Sequence, residues 1–351
     1  MKCLFYFGHP AQYHFCKHSI HALRSDGHEI KILIKTKDVL EDLVKNDFEE
    51  YVNIQPKARK NNSLSMLLAM FKRDVRVMRI MRMFKPDVLI GSDPSLAHAG
   101  FIFRKPSITP IEDDYAVIKH YARLTYPFTN CILCPEICTT GPWTKKRRGY
   151  NAYMKLAYLH PKYFTPDIKL LKDELSSKNC LIRLSSLHAH HDIGASGIGK
   201  PLLREIVNTL DDRGFKVFLL SEDPNEKLEG ACSIKTEAWN IHHLLAHMDI
   251  LICDSQSMTV EAAILGVAAI RINSFKNKIS VLNELERKYK LCYAFFPEDH
   301  EMIMAKLNEL LDMKNLKQCF HSRKEAMLSE KEDVNAVLMN TIHSFFDEAG
   351  V

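Results

Sequence analysis

Cys3-Leu4-Phe5-Tyr6-Phe7-Gly8-His9-Pro10-Ala11-Gln12-Tyr13-His14-Phe15 decides the fold. Five apolar residues form a run too short for a helix, which breaks at a glycine and passes into a helical pattern carried by Phe15, Ile20 and Leu23 and stopped at Asp26-Gly27. A second run, Glu29 to Ile34, follows at once. Strand, loop, helix, strand then recurs: Tyr51 to Ile54, a long helix Ser63 to Phe84, Asp87 to Ile90, a helix Leu96 to Phe103, Ser107 to Pro110, a helix from Tyr115, and Cys131 to Cys134. From Tyr150 to Pro166 aromatics and prolines interrupt it, which marks a crossing between domains. It resumes with Leu181 to Leu184, Pro201 to Asp212, Lys216 to Leu220, Ile241 to Ala246, Asp249 to Cys253, Met258 to Leu265 and Ala268 to Ile272, and the last helix is Val334 to Phe346. The alternation predicts an α/β protein of two Rossmann-type domains, with parallel sheets facing an interdomain cleft and ligands at the carboxyl ends of the strands.

A chain of 351 residues, 46% apolar and 26% charged, has room for about two domains with their own cores and is neither fibrous nor disordered. No stretch is apolar enough to span a bilayer, and the first residues are too short a run for a signal peptide. The expectation is a cytoplasmic chain, peripheral at the inner face of the plasma membrane, whose ten cysteines are reduced core residues. The net charge of +5 hides a split: residues 1–165 hold 26 Lys plus Arg against 15 Asp plus Glu, and the rest is net acidic. A basic half suits an anionic surface or a phosphate-bearing substrate. Without a recognition helix, finger or RNA-binding signature, nucleic acid is not expected.

Six places offer chemistry. Gly8, His9, Gln12 and His14 follow the first strand and open a helix, where free N–H groups and the positive dipole end suit an anion or a sugar hydroxyl, and His14 can carry a proton. Asp93 ends the strand Asp87 to Ile90, and Glu112-Asp113-Asp114 end the next, where crowded carboxylates can supply an acid or a base. Asp254, Ser255, Gln256, Ser257 and Met258 open a helix that carries Glu261, an arrangement suited to a diphosphate and ribose hydroxyls. Arg183, Ser185, Ser186 and His188 form a loop at a strand end. With His190, His191 and Asp192 this loop invites zinc, but a phosphate loop accounts for it, as a buried strand end accounts for Cys131, Cys134 and Cys138, so no metal is expected. Ser221 and Glu222, at the end of the neighbouring strand, join the same ligand side. Last, the helix Ser63 to Phe84 is read with a core stripe of Leu64, Leu67, Leu68, Phe71, Val75 and Met78. Its basic edge is Lys72, Arg73, Arg76 and Arg79, and Met66, Met70, Val77 and Phe84 remain over for a membrane or lipid contact. Lys145-Lys146-Arg147-Arg148 is read as a solvated loop or a second piece of that face.

Through Gly8-His9-Pro10-Ala11 with His14-Phe15, the segment Tyr150 to Pro166, and Asp254 to Gly266, the chain resembles the family called domain of unknown function 354. That family looks like the two-domain GT-B glycosyltransferases and the UDP-N-acetylglucosamine 2-epimerases. The epimerase motif Asp-Ser-Gly-Gly, with its following Glu-Glu-Ala and Leu-Gly, is matched at Asp254, Ser255, Glu261, Ala262 and Leu265-Gly266, while Gln256 and Ser257 replace the glycines. Gly91-Ser92-Asp93 is similar to the Gly-Asp-Thr motif with one extra residue, and Val117 to Tyr121 carries no Glu-Glu-x-Asn-Arg. The resemblance implies a GT-B-like fold: an acceptor domain 1–155, a nucleotide-binding domain 156–333, and a helix 334–351 packing back on the first. The missing Glu-Glu-x-Asn-Arg motif favours a metal-independent glycosyltransferase of surface polysaccharide or glycolipid synthesis over an epimerase. The donor is a nucleotide sugar and no cofactor is needed; the acceptor is lipid-linked or a polysaccharide. Arg183 or Arg271 would steady the leaving diphosphate, and the base would be Asp113, then His14, then Asp93. An epimerase-like enzyme and a non-catalytic sugar-nucleotide binder are the alternatives, and the inverting or retaining outcome is left open.

Overall fold

The structure, a computed structural model, describes residues 1–56, 63–171, 175–185, 198–223 and 225–347. It divides into two compact units, Met1–Tyr158 with Lys331–Val351, and Leu159–Glu330.

The first unit is a seven-stranded parallel sheet of β1 (Lys2–Phe7), β2 (Glu29–Lys35), β3 (Val52–Gln55), β4 (Val88–Gly91), β5 (Ser107–Pro110), β6 (Cys131–Pro135) and β7 (Arg147–Tyr150), in the order β3-β2-β1-β4-β5-β6-β7. Its helices are α1 (Pro10–Ser25), α2 (Leu40–Asp47), α3 (Ser63–Phe84), α4 (Pro94–Phe103), α5 (Lys119–Thr125) and the short α6 (Leu156–Leu159) that runs into the second unit. The second unit holds β8 (Asn179–Leu184), α7 (Lys200–Asp212), β9 (Lys216–Ser221), β10 (Cys232–Ser233), α8 (Ile241–Ala246), β11 (Ile250–Cys253), α9 (Gln256–Leu265), β12 (Ala268–Ile272), α10 (Ser280–Arg287), β13 (Cys292–Phe295), α11 (His300–Leu311) and α12 (Leu316–Ser329). Its sheet, also parallel, runs β10-β9-β8-β11-β12-β13. Finally α13 (Val334–Asp347) belongs to the first unit, where Asn335 bonds the Ala157 carbonyl at 2.8 Å and Leu338 and Ile342 are fully buried.

Each sheet reverses its strand order once, between β1 and β4 and between β8 and β11, the point beside which folds of this kind hold their ligands. Cys3 to Phe7 are wholly buried, as a central strand covered on both faces requires. A Cβ at Gly91 would lie 2.4 Å from the Tyr6 carbonyl oxygen, so only glycine lets β4 end this close to β1. In the second unit Gly266 stops α9 at φ 80°, the left-handed conformation common just past a helix end.

Three sequence expectations change. The basic segment around Arg147 and Arg148 is the edge strand β7, where charged side chains suit an exposed rim, and Lys146 is tied to the carbonyls of Tyr126, Pro127 and Thr129 at 2.7–3.0 Å. The helix expected from Tyr115 starts at Lys119, because Tyr115 N–H is bonded to the Thr139 carbonyl at 2.9 Å. The buried stripe of α3 is rotated: Arg73, Val77, Met81 and Phe84 are buried and Met78 packs against the same core, Lys72, Arg76 and Arg79 are exposed as expected, and Leu68 and Phe71 are exposed. Asp93 and Gln55 draw Arg73 inward and so rotate the helix; the side chains of Leu64, Met66 and Leu67 lie outside the described residues.

Candidate functional site

At the carboxyl edge of the first unit, the β1 loop closes on itself. Gly8 N–H bonds Gln12 Oε1 at 2.8 Å, and Ala11 N–H bonds His9 Nδ1 at 3.2 Å, which makes His9 the N-cap of α1. Gln12 N–H bonds the His9 carbonyl at 3.1 Å, and Pro10 has no N–H to give. The N–H groups of Gly8, Ala11 and Gln12 are therefore used within the loop. His14, one turn on, is buried and stacks on Tyr158 with ring centres 4.8 Å apart.

Asp93 is 3% exposed and serves three groups at once. It caps α4 through Ser95 N–H at 3.0 Å, meets Arg73 Nε at 3.5 Å, and meets Lys35 Nζ at 3.4 Å. Burial opposes its charge, but Lys35, Arg73 and the Ser95 N–H prevail and hold its carboxyl below the ordinary value. A carboxylate so stabilised is a weak proton acceptor, which argues against the basic role expected of it.

The three acids after β5 separate. Glu112 is buried, accepts from Met154 N–H at 2.6 Å and pairs with Lys155. Asp114 is buried and accepts from the Thr139 N–H and hydroxyl at 2.9 and 3.1 Å. Between them Asp113, partly exposed, has no side-chain hydrogen bond or ion pair among the described residues. Burial, opposed by Lys155 and reinforced by Glu112 and Asp114, raises its carboxyl above the ordinary value. An untied carboxyl of raised basicity is what general acid–base chemistry uses.

In the second unit Asp254 is turned to structural use. Both its oxygens take Ser185 N–H at 3.0 Å, one also takes the Ser185 hydroxyl, and Asn273 Nδ2 holds its carbonyl at 2.7 Å. This joins β8, β11 and β12 where the strand order reverses. Ser255 caps α9, with its hydroxyl accepting from Met258 N–H at 3.3 Å, and Met258 is buried, so neither offers the group expected of it. The first N–H groups of a helix lack an intrahelical acceptor; here those of Gln256 and Ser257, both partly exposed, are left over among the described residues. Glu261 is buried with its Oε1 3.4 Å from His242 Nε2. Arg183 pairs with Glu222 at 2.6 Å, and the Ser221 hydroxyl accepts from Asp223 N–H at 3.1 Å. Arg271 is 1% exposed, in register with Cys253, with Nε and Nη1 lacking a hydrogen-bond partner among the described residues. It lies inside the packing rather than at the edge where a leaving group would sit. Ser186, His188 and the other ligands of that loop lie outside the described residues.

The structure thus gathers Gly8, His9, Gln12 and Asp93 at one switch point and Arg183, Ser185, Asp254, Ser255, Gln256 and Ser257 at the other. Lys35, Lys155, His242 and Asn273 were not singled out from sequence, where each looks like an ordinary polar residue, and Arg73 was read as part of an exposed basic edge but is buried on Asp93. Among the described residues no three His, Cys, Asp or Glu side chains form a metal-holding group, and no helix is long and apolar enough to cross a membrane.

No protein-family model and no curated protein sequence matches the chain, so the resemblance to domain of unknown function 354 is carried by no such match. Solved structures match it along nearly its whole length. UDP-GlcNAc 2-epimerase from Neisseria meningitidis bound to UDP-GlcNAc is 14% identical over 99% of this chain and 100% of that one, with a TM-score of 0.66. The S. aureus MnaA–UDP structure is 13% identical over 99% and 97%, at 0.68. The spinosyn rhamnosyltransferase SpnG with thymidine diphosphate is 13% identical over 98% and 100%, at 0.64. The fold is GT-B-like. Identities this low establish the GT-B-like architecture and leave the chemistry to the residues.

Proposed function

We propose that the chain is a GT-B-type glycosyltransferase. The second unit would bind a nucleoside diphosphate sugar, and the first would bind an acceptor whose hydroxyl gives its proton to Asp113. The observation that carries this is the separation of the acids after β5, which leaves Asp113 as the one untied carboxylate of the three. The two leftover N–H groups at the start of α9 support the donor side, where a diphosphate would meet them and the positive helix end. As the sugar departs, negative charge collects on the diphosphate, which those dipoles stabilise. That structures of this fold carry UDP, UDP-GlcNAc or thymidine diphosphate in their names agrees with a nucleotide donor. An epimerase needs a proton removed and another returned, and one untied carboxylate suits the single deprotonation of transfer better. Incubation with nucleotide sugars separates the readings: a transferase releases nucleoside diphosphate only with an acceptor, and an epimerase changes the sugar alone.

Glu261, beside His242, would accept from ribose hydroxyls. Glu261→Gln keeps the shape and removes the charge. Calorimetry should show sugar-nucleotide affinity about tenfold weaker, the scale of one charge-assisted hydrogen bond. Unchanged affinity would remove Glu261 from the donor site.

The exposed Leu68 and Phe71, next to Lys72 on α3, support a lipid-linked acceptor and contact with an anionic bilayer. The protein should cosediment with anionic vesicles at low salt, stay free of neutral ones, and lose much of the binding on Phe71→Asp. Equal behaviour on both vesicles would contradict the contact.

A further inference from the structure

We propose that Lys35 anchors an oxyanion subsite at the strand ends of the first unit, taking a phosphate or carboxylate group of the molecule bound there. The proposal rests on the reading of this unit as the acceptor side and makes that acceptor anionic. Lys35 Nζ lies 3.4 Å from Asp93 Oδ2 and Arg73 Nε 3.5 Å from Asp93 Oδ1, two cations on one anion. Arg73 is accounted for: it is buried, faces Asp93 and donates to Gln55 Oε1 at 2.9 Å. Asp93 Oδ1 already takes Arg73 and Ser95 N–H, so Lys35 is the surplus charge.

Two other acids of this unit have partners of their own. Asp74 faces His98 at 3.2 Å, and Glu41 takes Asn53 at 2.9 Å along with Thr36 and Tyr51. An ammonium carries three donors, and among the described residues Lys35 gives one of them, to Asp93. Its side chain is 26% exposed, so a ligand can reach the rest. Gly8 makes this placement possible: a Cβ there would lie 2.8 Å from Lys35 Cε and 2.9 Å from Nζ. The ammonium therefore lies over the β1 loop, at the switch point and beside the positive end of α1. A rotatable point charge in this position suits an oxyanion, whether phosphate or carboxylate.

The test is the acylation rate of Lys35, read by peptide mass spectrometry on the whole chain without nucleotide, so it is independent of whether a donor binds. Burial, together with Arg73 and against Asp93, lowers the Lys35 ammonium below its ordinary value, which leaves more neutral amine to react. Inorganic phosphate or glucuronate should slow Lys35 about tenfold relative to potassium chloride at equal ionic strength, with Lys2 and Lys31 unchanged. Protection by phosphate alone assigns a phosphate group, and by glucuronate alone a carboxylate. Calorimetry with the protecting anion should show affinity about tenfold weaker in Lys35→Met. The proposal is overturned if neither anion slows Lys35, if all lysines slow alike, or if Lys35→Met binds the anion as the wild type does.

Discussion

Asp113→Asn should lower turnover by about 10² to 10⁴-fold, the usual contribution of a positioned general base, while sugar-nucleotide affinity stays unchanged. The same substitution should raise stability at neutral pH. Because the folded protein raises this carboxyl above its ordinary value, the stability associated with Asp113 is full below that ordinary value and is lost as pH rises through the folded one. Asparagine is neutral throughout, so the gain should be present at neutral pH and vanish in acid, as urea denaturation at both pH values would read. A residue of purely structural value would show the opposite, a loss of stability with a loss of activity. In the wild type, kcat/KM should rise with pH along a limb above the ordinary carboxylate range of about 3.9. Wild-type turnover in Asp113→Asn would move the base elsewhere, with His14→Gln the next variant.

Asp93→Asn should be the most damaging single change to the first unit, with a loss of about 3–5 kcal/mol at neutral pH, the cost of leaving buried charge unpaired. Arg73 would lose its carboxylate while still buried, and Lys35 its one partner among the described residues. Here the folded carboxyl is lowered, so its contribution is present above the ordinary carboxylate value and lost as pH falls through the folded one. The gap between variant and wild type should accordingly close in acid. Adding Arg73→Met to Asp93→Asn should restore much of the stability. A neutral-pH loss no larger than that of an exposed aspartate would contradict the buried pairing.

The alternation of Cys3 to Phe7, Glu29 to Ile34 and their successors made the strands and their parallel arrangement legible, because a buried central strand shows as an unbroken apolar run. Charge hid what alternation did not. Arg147 and Arg148 read as a solvated loop or a piece of the basic face because an edge strand tolerates charge, and the buried stripe of α3 read rotated because Arg73 is buried by a carboxylate twenty residues away in sequence. The motif at Asp254 was visible as a strand end and helix start. That Asp254 is held by Ser185 and Asn273 depends on neighbours from other strands. In the same way Asp113 was preferred within Glu112-Asp113-Asp114, but the physical difference between the three rests on Met154, Lys155 and Thr139, brought in from later segments.

The most direct test is thermal unfolding of the whole chain against a panel of nucleoside diphosphate sugars. At a hundred times its dissociation constant a true donor adds about 2.7 kcal/mol of stability, and that gain should shrink in Glu261→Gln at the same concentration. Unfolding that is unmoved by every sugar nucleotide at saturating concentration, in wild type and variant alike, would contradict the account.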